Sequence, residues 1–271
     1  MSEDNLGDRM KGYEMAEAGR MLMPGLPILI RLDGKAFHTF TKGLQRPFDK
    51  RLSDLMVDTT KFLVEQSNAV VGYTQSDEIS LAIYTDDPNS EVYFGGRIQK
   101  LCSVLASMAT AYFNRNLPTA IPEKADKFAY FDSRVWNVPT LAEAANAFVW
   151  RELDATKNAV SMAAQHYFSH GALQGKHAGE MQEMLFSQHG VNFNDYPSFF
   201  KRGSYVRRVT KAVKFSAEEI DRLPAKHAAR TNPDLMIERS VVERVEFPKM
   251  TSVANKVDVL FNGAEPVIKE S

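Results

Sequence analysis

An ordered alternation of strand-like and helix-like segments in the first half of the chain is the feature that most constrains its fold. Short apolar runs, rich in branched residues or alternating with polar ones, predict strands at residues 27–33, 69–74, 79–83 and 128–135. Apolar residues at helical spacing predict helices over residues 48–68 and 92–114, the second ended by Pro118 and Pro122. The order strand–helix–strand–strand–helix–strand is that of the split βαβ unit, so we predict an α+β, ferredoxin-like fold.

The second half of the chain has a different character. It predicts helix over residues 139–169 and 178–188, a basic strand at 203–215, a helix plus a loop at 216–237, a strand at 241–247 and a loose tail of ten residues. We therefore predict two domains. The first comprises residues 1–138, and the second is a helical and basic C-terminal region, residues 139–271, packed on it.

The composition removes several classes of protein. The 33 basic and 34 acidic residues give a net charge of −1, which argues against binding nucleic acid by bulk charge but leaves room for a local basic patch. Cys102 is the single cysteine, which excludes an intrachain disulfide and a cysteine-based metal cluster. The start of the chain is polar and acidic, and no apolar run approaches the roughly 20 residues of a membrane span. We expect a cytoplasmic protein without membrane contact.

Three carboxylates are predicted to meet at one edge of the sheet. The first and third strands of a ferredoxin-like sheet are neighbours, so Asp33, which ends the first strand, lies beside the hairpin that carries Asp77 and Glu78. Carboxylates this close raise one another's pKa unless a cation neutralises them, and oxygen ligands suit Mg²⁺. With the Gly34 carbonyl as a further ligand, these residues predict a site for two Mg²⁺ ions and phosphoryl transfer.

The segment that follows the first strand predicts a triphosphate site beside those metals. Its residues Gly34, Lys35, Ala36, Phe37 and His38 supply backbone N–H groups and a cation. The plain alternative is that Asp-Gly and Ser-Asp-Glu are ordinary turn sequences without chemistry. The predicted topology, rather than either motif alone, favours the catalytic interpretation.

Two long motifs and several shorter landmarks carry a family resemblance. Residues 30–40 read Ile-Arg-Leu-Asp-Gly-Lys-Ala-Phe-His-Thr-Phe, and residues 72–80 read Gly-Tyr-Thr-Gln-Ser-Asp-Glu-Ile-Ser. Shorter landmarks follow at residues 131–135, 150–154, 185–187 and 201–203. In this order they resemble the tRNA(His) guanylyltransferase family, whose two long motifs are Arg-Ile-Asp-Gly-Arg-x-Phe-His-x-Phe and Tyr-Gly-Gln-Ser-Asp-Glu-x-Ser. The resemblance extends over about residues 6–205.

The resemblance implies a polymerase-type palm and a nucleotidyltransferase. Such enzymes add GTP or other nucleoside triphosphates to the 5′ end of tRNA, in the 3′-to-5′ direction, after ATP has adenylylated the 5′-phosphate. It implies that Asp33, Asp77 and Glu78 are catalytic and that Asp33, Asp77 and the Gly34 carbonyl hold two Mg²⁺ ions. The nucleotide-binding residues that it implies are Gly34, Lys35, Ala36, Phe37, His38, Ser76, Asn158 and Arg46, the last in place of a family lysine. It also suggests a homotetramer.

One departure from the family pattern concerns the substrate. The guanylyltransferases proper carry His-Ile-Asn-Asn-Leu-Tyr-Asn after the Trp-Arg landmark, whereas residues 156–162 here read Thr-Lys-Asn-Ala-Val-Ser-Met. Asn158 alone matches, and the histidine is absent. This pattern resembles the guanylyltransferase-like branch, so we expect templated repair of 5′-truncated tRNAs in preference to addition to tRNA(His).

A basic segment near residue 200 predicts contacts with phosphates. Its members Arg202, Arg207, Arg208, Lys211 and Lys214 are candidate RNA-binding residues, and Lys201 is a candidate for the incoming triphosphate. A solvated strand face is the plain alternative for the same residues.

Two other functions stay open at this point: a nucleotidyl cyclase built on the same palm, and a tRNA-binding protein that has lost catalysis.

Overall fold

The computed structural model describes residues 5–87, 90–232 and 234–270. The first half contains α1 (Leu6–Ala18), β1 (Ile28–Gly34), α2 (Phe37–Phe40), α3 (Lys50–Ser67), β2 (Val71–Gln75), β3 (Glu78–Ile83), α4 (Ile98–Ala120) and β4 (Phe131–Asn137). The second half contains α5 (Leu141–Tyr167), α6 (His170–Leu173), α7 (Ala178–His189), α8 (Ser198–Arg202), β5 (Ser204–Lys214), α9 (Ala217–Arg222), α10 (Ala228–Thr231), β6 (Met236–Val245) and α11 (Lys256–Phe261).

One antiparallel sheet carries the fold. Its strand order is β4-β1-β3-β2-β5-β6. The first four strands stand in the order expected of a βαββαβ unit, which confirms the predicted α+β, ferredoxin-like class. The basic strand β5 adds to the free edge of β2, and β6 adds to β5, so the sheet continues into the C-terminal region. The division of the chain at residue 138 remains a prediction.

Strand alternation divides the core between the two faces of the sheet. Side chains such as Ile30 and Leu32 face α3 and α4, where they pack with Leu63 and Leu105. Leu29, one position away, belongs to the opposite layer under α5. Asp33 follows Leu29 and Arg31 at intervals of two, so the fold places it on the α5 side of the sheet.

Several boundaries differ from those predicted. Helix α4 continues through Pro118 and ends at Ala120. Pro118 lies in the last turn, where its missing N–H removes only one backbone hydrogen bond, so the helix tolerates it. The helix then ends before Pro122. Helices α1 and α11 were not predicted, and β6 begins five residues before the predicted start at residue 241. None of the helices in the described ranges is long and apolar enough to cross a membrane.

The prediction of a loose C-terminal tail is wrong for the described part of it, which ends at residue 270. The N–H of Ala254 donates to the Val267 carbonyl at 2.7 Å, and the N–H of Lys269 donates to the Ser252 carbonyl at 2.8 Å. The Asn255 side chain also accepts from the Val267 N–H at 2.8 Å. These hydrogen bonds attach the tail to residues 252–255. No local apolar pattern in the sequence predicts them.

Candidate active site

A row of carboxylates crosses three adjacent strands at one edge of the sheet. Asp33 of β1 stands opposite Glu78 of β3 and opposite Asp132 of β4. The N–H of Gly34 donates to the backbone oxygen of Asp77 at 3.1 Å, which ties the end of β1 to the β2–β3 turn. The predicted juxtaposition of Asp33 with the Asp77–Glu78 hairpin is therefore present.

Backbone geometry explains the small residues at this edge. A Cβ on Gly34 would lie 2.2 Å from the ring of Phe37, so a larger residue cannot fit there without displacing that ring. Phe37 is buried, with its ring centroid 5.0 Å from Phe40 and 5.3 Å from Phe131. Ala36 and Ser76 both have a φ of 54°, the left-handed conformation that forms the two tight turns. The apolar core thus fixes the loop that follows Asp33.

The electrostatics of Asp77 favour a cation. Burial raises the pKa of its carboxyl, the hydroxyl of Ser76 lowers it, and the carboxylates of Asp33 and Glu78 raise it further. Ionising this group beside two others is unfavourable unless positive charge approaches. Within the described ranges no group of three His, Cys, Asp or Glu side chains is arranged as a metal site. A site here would therefore consist of two carboxylates and a backbone carbonyl.

Glu78 is bound by a residue that sequence reasoning did not assign. The Arg151 Nε donates to the Glu78 carboxylate at 2.6 Å, and its terminal nitrogen donates to Asp154 at 2.8 Å. Burial raises the pKa of Glu78, and the adjacent Arg151 lowers it. Arg151 also lies 4.4 Å from the centroid of the Trp150 ring. The sequence does contain one signal for a role of Arg151, because Arg151 and Asp154 are three residues apart and share one face of a helix.

In the expected triphosphate loop, some residues expose their side chains and others offer a ligand only their backbone. Lys35 and His38, which follow Asp33 in the chain, are exposed, whereas the Phe37 side chain belongs to the core and leaves only its backbone for a ligand. Phe37 and His38 begin α2, where N–H groups lack partners inside the helix. The N–H of Lys35 donates to the Tyr130 carbonyl at 2.8 Å, which joins this loop to the segment before β4.

The other nucleotide candidates lie on three different elements: α8, the loop before α3, and α5. Thr74 pairs with Ser204, so α8, which carries Lys201, ends next to the Asp77 hairpin. The Lys201 ammonium donates to the Asn194 carbonyl. Arg46 is exposed in a loop that packs on α8, because the neighbouring Phe48 ring lies 5.2 Å from Phe199. Asn158 is exposed on α5 and stands seven residues, or two turns, beyond Arg151.

The basic segment makes contacts largely within the protein. The Arg208 guanidinium donates to the Val64 carbonyl of α3 at 2.8 Å, and that of Arg207 donates to the Val259 carbonyl at 3.0 Å. Lys211 pairs with Glu243 of β6, and Lys214 pairs with Asp234 at 2.6 Å. Burial raises the pKa of the Glu152 carboxyl, and Arg202, at the end of α8, is among the nearby groups that lower it. These contacts favour the plain alternative for the strand residues and leave Arg202 near the site.

Comparison with known proteins decides the family. Residues 7–139 match the family model described as tRNAHis guanylyltransferase, and residues 160–261 match that of the Thg1 C terminal domain. The chain belongs to the tRNA(His) guanylyltransferase family. It is 30% identical over 209 residues to the tRNA(His) guanylyltransferase of Saccharomyces cerevisiae, covering 71% of this chain and 86% of that one. It is 27% identical over 251 residues to that of Neurospora crassa, covering 87% and 83%.

Solved structures of tRNA(His) guanylyltransferase-like proteins have the same fold. A bacterial Thg1-like protein in complex with ATP is 41% identical and superposes with a TM-score of 0.72, covering 75% of this chain and 88% of that one. A bacterial Thg1-like protein in complex with GTP is 34% identical with a TM-score of 0.69, covering 92% and 94%. The Saccharomyces cerevisiae enzyme is 28% identical with a TM-score of 0.62. The predicted family, fold and enzyme class, a nucleotidyltransferase, are confirmed.

Proposed function

We propose that this protein adds nucleotides to the 5′ end of tRNA in the 3′-to-5′ direction. The observation that carries the proposal is the edge where Asp33, Gly34 and Asp77 meet beside an exposed Lys35. In the first step a 5′-phosphate oxygen attacks the α-phosphorus of ATP, and pyrophosphate leaves. In the second, the 3′-hydroxyl of GTP or another nucleoside triphosphate attacks the adenylylated 5′-phosphorus, and AMP leaves.

The residues at the edge suit the two Mg²⁺ ions that the chemistry calls for. The donors are all oxygen. Burial, followed by the neighbouring carboxylates of Asp33 and Glu78, raises the pKa of Asp77, so a bound cation would favour its charged form. Asp33, Asp77 and the Gly34 carbonyl would hold the metals. When bound, such ions lower the pKa of an attacking hydroxyl and stabilise a leaving pyrophosphate.

The chain's own groups bind and orient the reactants. Lys35 and Lys201 provide positive charge for a triphosphate, and Ser76 lies in the turn before Asp77. Glu78 is a positioning residue in this scheme. Its ion pair with Arg151 fixes the hairpin against α5, so the Asp77 carboxylate keeps its place relative to Asp33.

We infer that the preferred substrates are 5′-truncated tRNAs repaired by templated addition. The stretch 156–162 lacks the histidine motif of the guanylyltransferases proper. The higher identity to a bacterial guanylyltransferase-like protein, 41% against 28% for the Saccharomyces cerevisiae structure, supports the same assignment. Watson–Crick pairing with the opposite strand would then select the nucleotide, and specific recognition of tRNA(His) would not be required.

The test is nucleotide addition to two RNAs. A 5′-truncated tRNA and a full-length tRNA(His) are incubated with labelled GTP, with and without ATP, at equal concentration. We expect ATP-dependent extension of the truncated tRNA, with the product length set by its template strand. Extension of full-length tRNA(His) alone contradicts the repair assignment, and formation of a cyclic nucleotide without RNA extension indicates the cyclase alternative.

We also propose a cytoplasmic homotetramer. Support for an assembly comes from α1, which buries none of its residues and exposes Leu6, Met10 and Tyr13. Light scattering coupled to size-exclusion chromatography tests the tetramer, and a monomer mass at micromolar concentration contradicts it.

Fractionation of cells that express the protein tests the cytoplasmic location, and recovery in the membrane fraction contradicts that location.

A further inference from the structure

Two aromatic side chains project into solvent directly beside the carboxylate edge. Phe128 is 70% exposed and Tyr130 is 55% exposed, whereas the residues next to them, Ala129 and Phe131, are buried at 2% and 7%. Exposed rings of this size are usually covered in soluble proteins, so a pair of them at a functional edge indicates a binding surface.

The backbone that carries these rings is fixed. Asn114 of α4 donates to the Ala129 carbonyl at 2.8 Å and accepts from the Ala129 N–H at 2.9 Å. The Tyr130 carbonyl accepts from the Lys35 N–H at 2.8 Å, and the Phe131 N–H donates to the Thr110 hydroxyl at 3.2 Å. The exposure of Phe128 and Tyr130 is therefore imposed by the fold and is not a consequence of a loose loop.

The two rings face the reacting end of the sheet. Alternate residues of an extended segment project to the same side, so Phe128, Tyr130 and Asp132 share one side and Ala129 and Phe131 share the other. Asp132 stands opposite Asp33. Residues directly opposite one another in an antiparallel pair share a face, so the rings continue the face that carries Asp33.

Charge next to the rings indicates the class of ligand. Lys127 precedes Phe128, and Lys35 is hydrogen-bonded through its backbone to Tyr130; both lysine side chains are exposed. Aromatic rings interleaved with cations are the pattern that binds nucleic acid, because each base offers a π-face and each phosphate a negative charge. An apolar peptide would gain nothing from the lysines.

We propose that Tyr130, with Phe128, forms a stacking surface for the terminal nucleobase of the tRNA acceptor stem. This inference rests on the proposed function and names how its RNA substrate is recognised. The end of an acceptor helix presents one open π-face, and stacking on a fixed ring holds the 5′-terminal nucleotide next to Asp33 without reading its identity. Such a contact suits an enzyme that accepts tRNAs of different sequence.

The experiment measures the Kd of the intact protein for a 5′-truncated tRNA and for an acceptor-stem minihelix at several salt concentrations. Loss of a stacked ring costs about tenfold in affinity, so Tyr130→Ala is expected to weaken binding of both RNAs by about that factor. The slope of log Kd against log salt should not change, because no phosphate contact is lost. Lys127→Ala should instead reduce the slope by about one.

Matched variants separate stacking from structural damage. Tyr130→Trp should restore the affinity and Tyr130→Leu should not, because leucine keeps apolar area but lacks a π-face. The KM for GTP should stay constant in all these variants. If Tyr130→Ala fails to fold, the contrast between the tryptophan and leucine variants decides the question.

Two outcomes overturn the inference: RNA affinity that is equal in Tyr130→Ala and in the unchanged protein, or an effect of Tyr130→Ala on the KM for GTP in place of RNA affinity. Nucleotide addition by the unchanged protein is measured in the same samples. Addition without dependence on Tyr130 overturns the stacking surface alone. Binding that depends on Tyr130 without any addition contradicts the proposed catalytic function alone.

Discussion

The carboxylate edge and the β5–β6 ribbon differ in how their charges are compensated. At the edge, Asp33 and Asp77 lie close together, and burial and like charge raise the pKa of Asp77. In the ribbon, cations that look available in the sequence already have partners, such as Glu243 for Lys211 and Asp234 for Lys214. Charged groups that have no partner in the folded protein therefore identify a site better than a cluster of like charges in the sequence does.

The largest effect is expected from removing one carboxylate of the edge. Asp77→Asn should lower nucleotide addition by at least about a thousandfold, because the residue loses the charge that would hold the metals. The Kd for tRNA should stay within about twofold, because the ring and lysine contacts proposed above are unaffected. Steady-state addition of labelled GTP and a filter-binding assay measure the two quantities.

Asp58→Asn is the matched control for that change, since the Asp58 side chain on α3 is 57% exposed and lies outside the site. Its activity should equal that of the unchanged protein. If Asp77→Asn keeps full activity, the edge is not catalytic. If the unchanged protein binds tRNA but never extends it, the protein is a binding protein that has lost catalysis.

The next effect concerns the ion pair behind the edge. The Arg151 and Glu78 side chains are 13% and 16% exposed, so removing one partner leaves a poorly hydrated charge. Arg151→Met should lower the free energy of unfolding by about 3 kcal/mol, and adding Glu78→Gln should recover part of that loss. Urea denaturation of the two single variants and the double variant measures the coupling.

A surface pair provides the contrast. Arg134 lies 3.4 Å from Asp132, and these side chains are 52% and 56% exposed. Arg134→Met should therefore change the free energy of unfolding by less than about 0.5 kcal/mol. Equal losses for Arg151→Met and Arg134→Met would show that the pair behind the edge does not differ from an ordinary surface pair.

A smaller effect tests the ribbon. The Arg208 guanidinium donates to the carbonyls of Val64 and Ala69 at 2.8 and 3.4 Å, next to the C-terminal end of α3. Arg208→Ala should lower the free energy of unfolding by about 2 kcal/mol, and the salt dependence of tRNA binding should not change. Lys214→Ala, which removes one partner of an exposed pair, should cost less than about 0.5 kcal/mol. A reduced salt slope for Arg208→Ala would instead place this residue on RNA.

The contrast between the carboxylate edge and the β5–β6 ribbon also shows which features can be predicted from the sequence. The position of Asp33 beside Glu78 follows from periodicity and topology, because period-2 and period-3.6 segments in that order favour the split βαβ arrangement, in which the first and third strands are neighbours. The partners of Arg208 and Arg151 do not follow, because they lie 144 and 73 residues away and no local pattern encodes them. Likewise, nothing in the segment of β5 specifies that it pairs with the edge of β2.

The smallest effect tests whether the ribbon neutralises its own charges. Arg239 of β6 pairs with Glu219, and this contact, followed by the Ser216 N–H, lowers the pKa of the carboxyl to about 2. A carboxyl whose pKa is lower in the folded than in the unfolded state stabilises the fold above the unfolded pKa. That contribution is lost as pH falls from 4.5, the ordinary value, towards 2.

Titration of the Glu219 carboxyl by NMR should therefore show a pKa far below 4.5 in the unchanged protein and a higher one in Arg239→Gln, which keeps the Ser216 contact. Asp221→Asn is the control, since it changes charge on the same helix without touching the pair. If Glu219 titrates at its ordinary value in the unchanged protein, Arg239 is free to meet a phosphate. The ribbon would then hold uncompensated charge as the edge does, and the distinction between the two regions would fail.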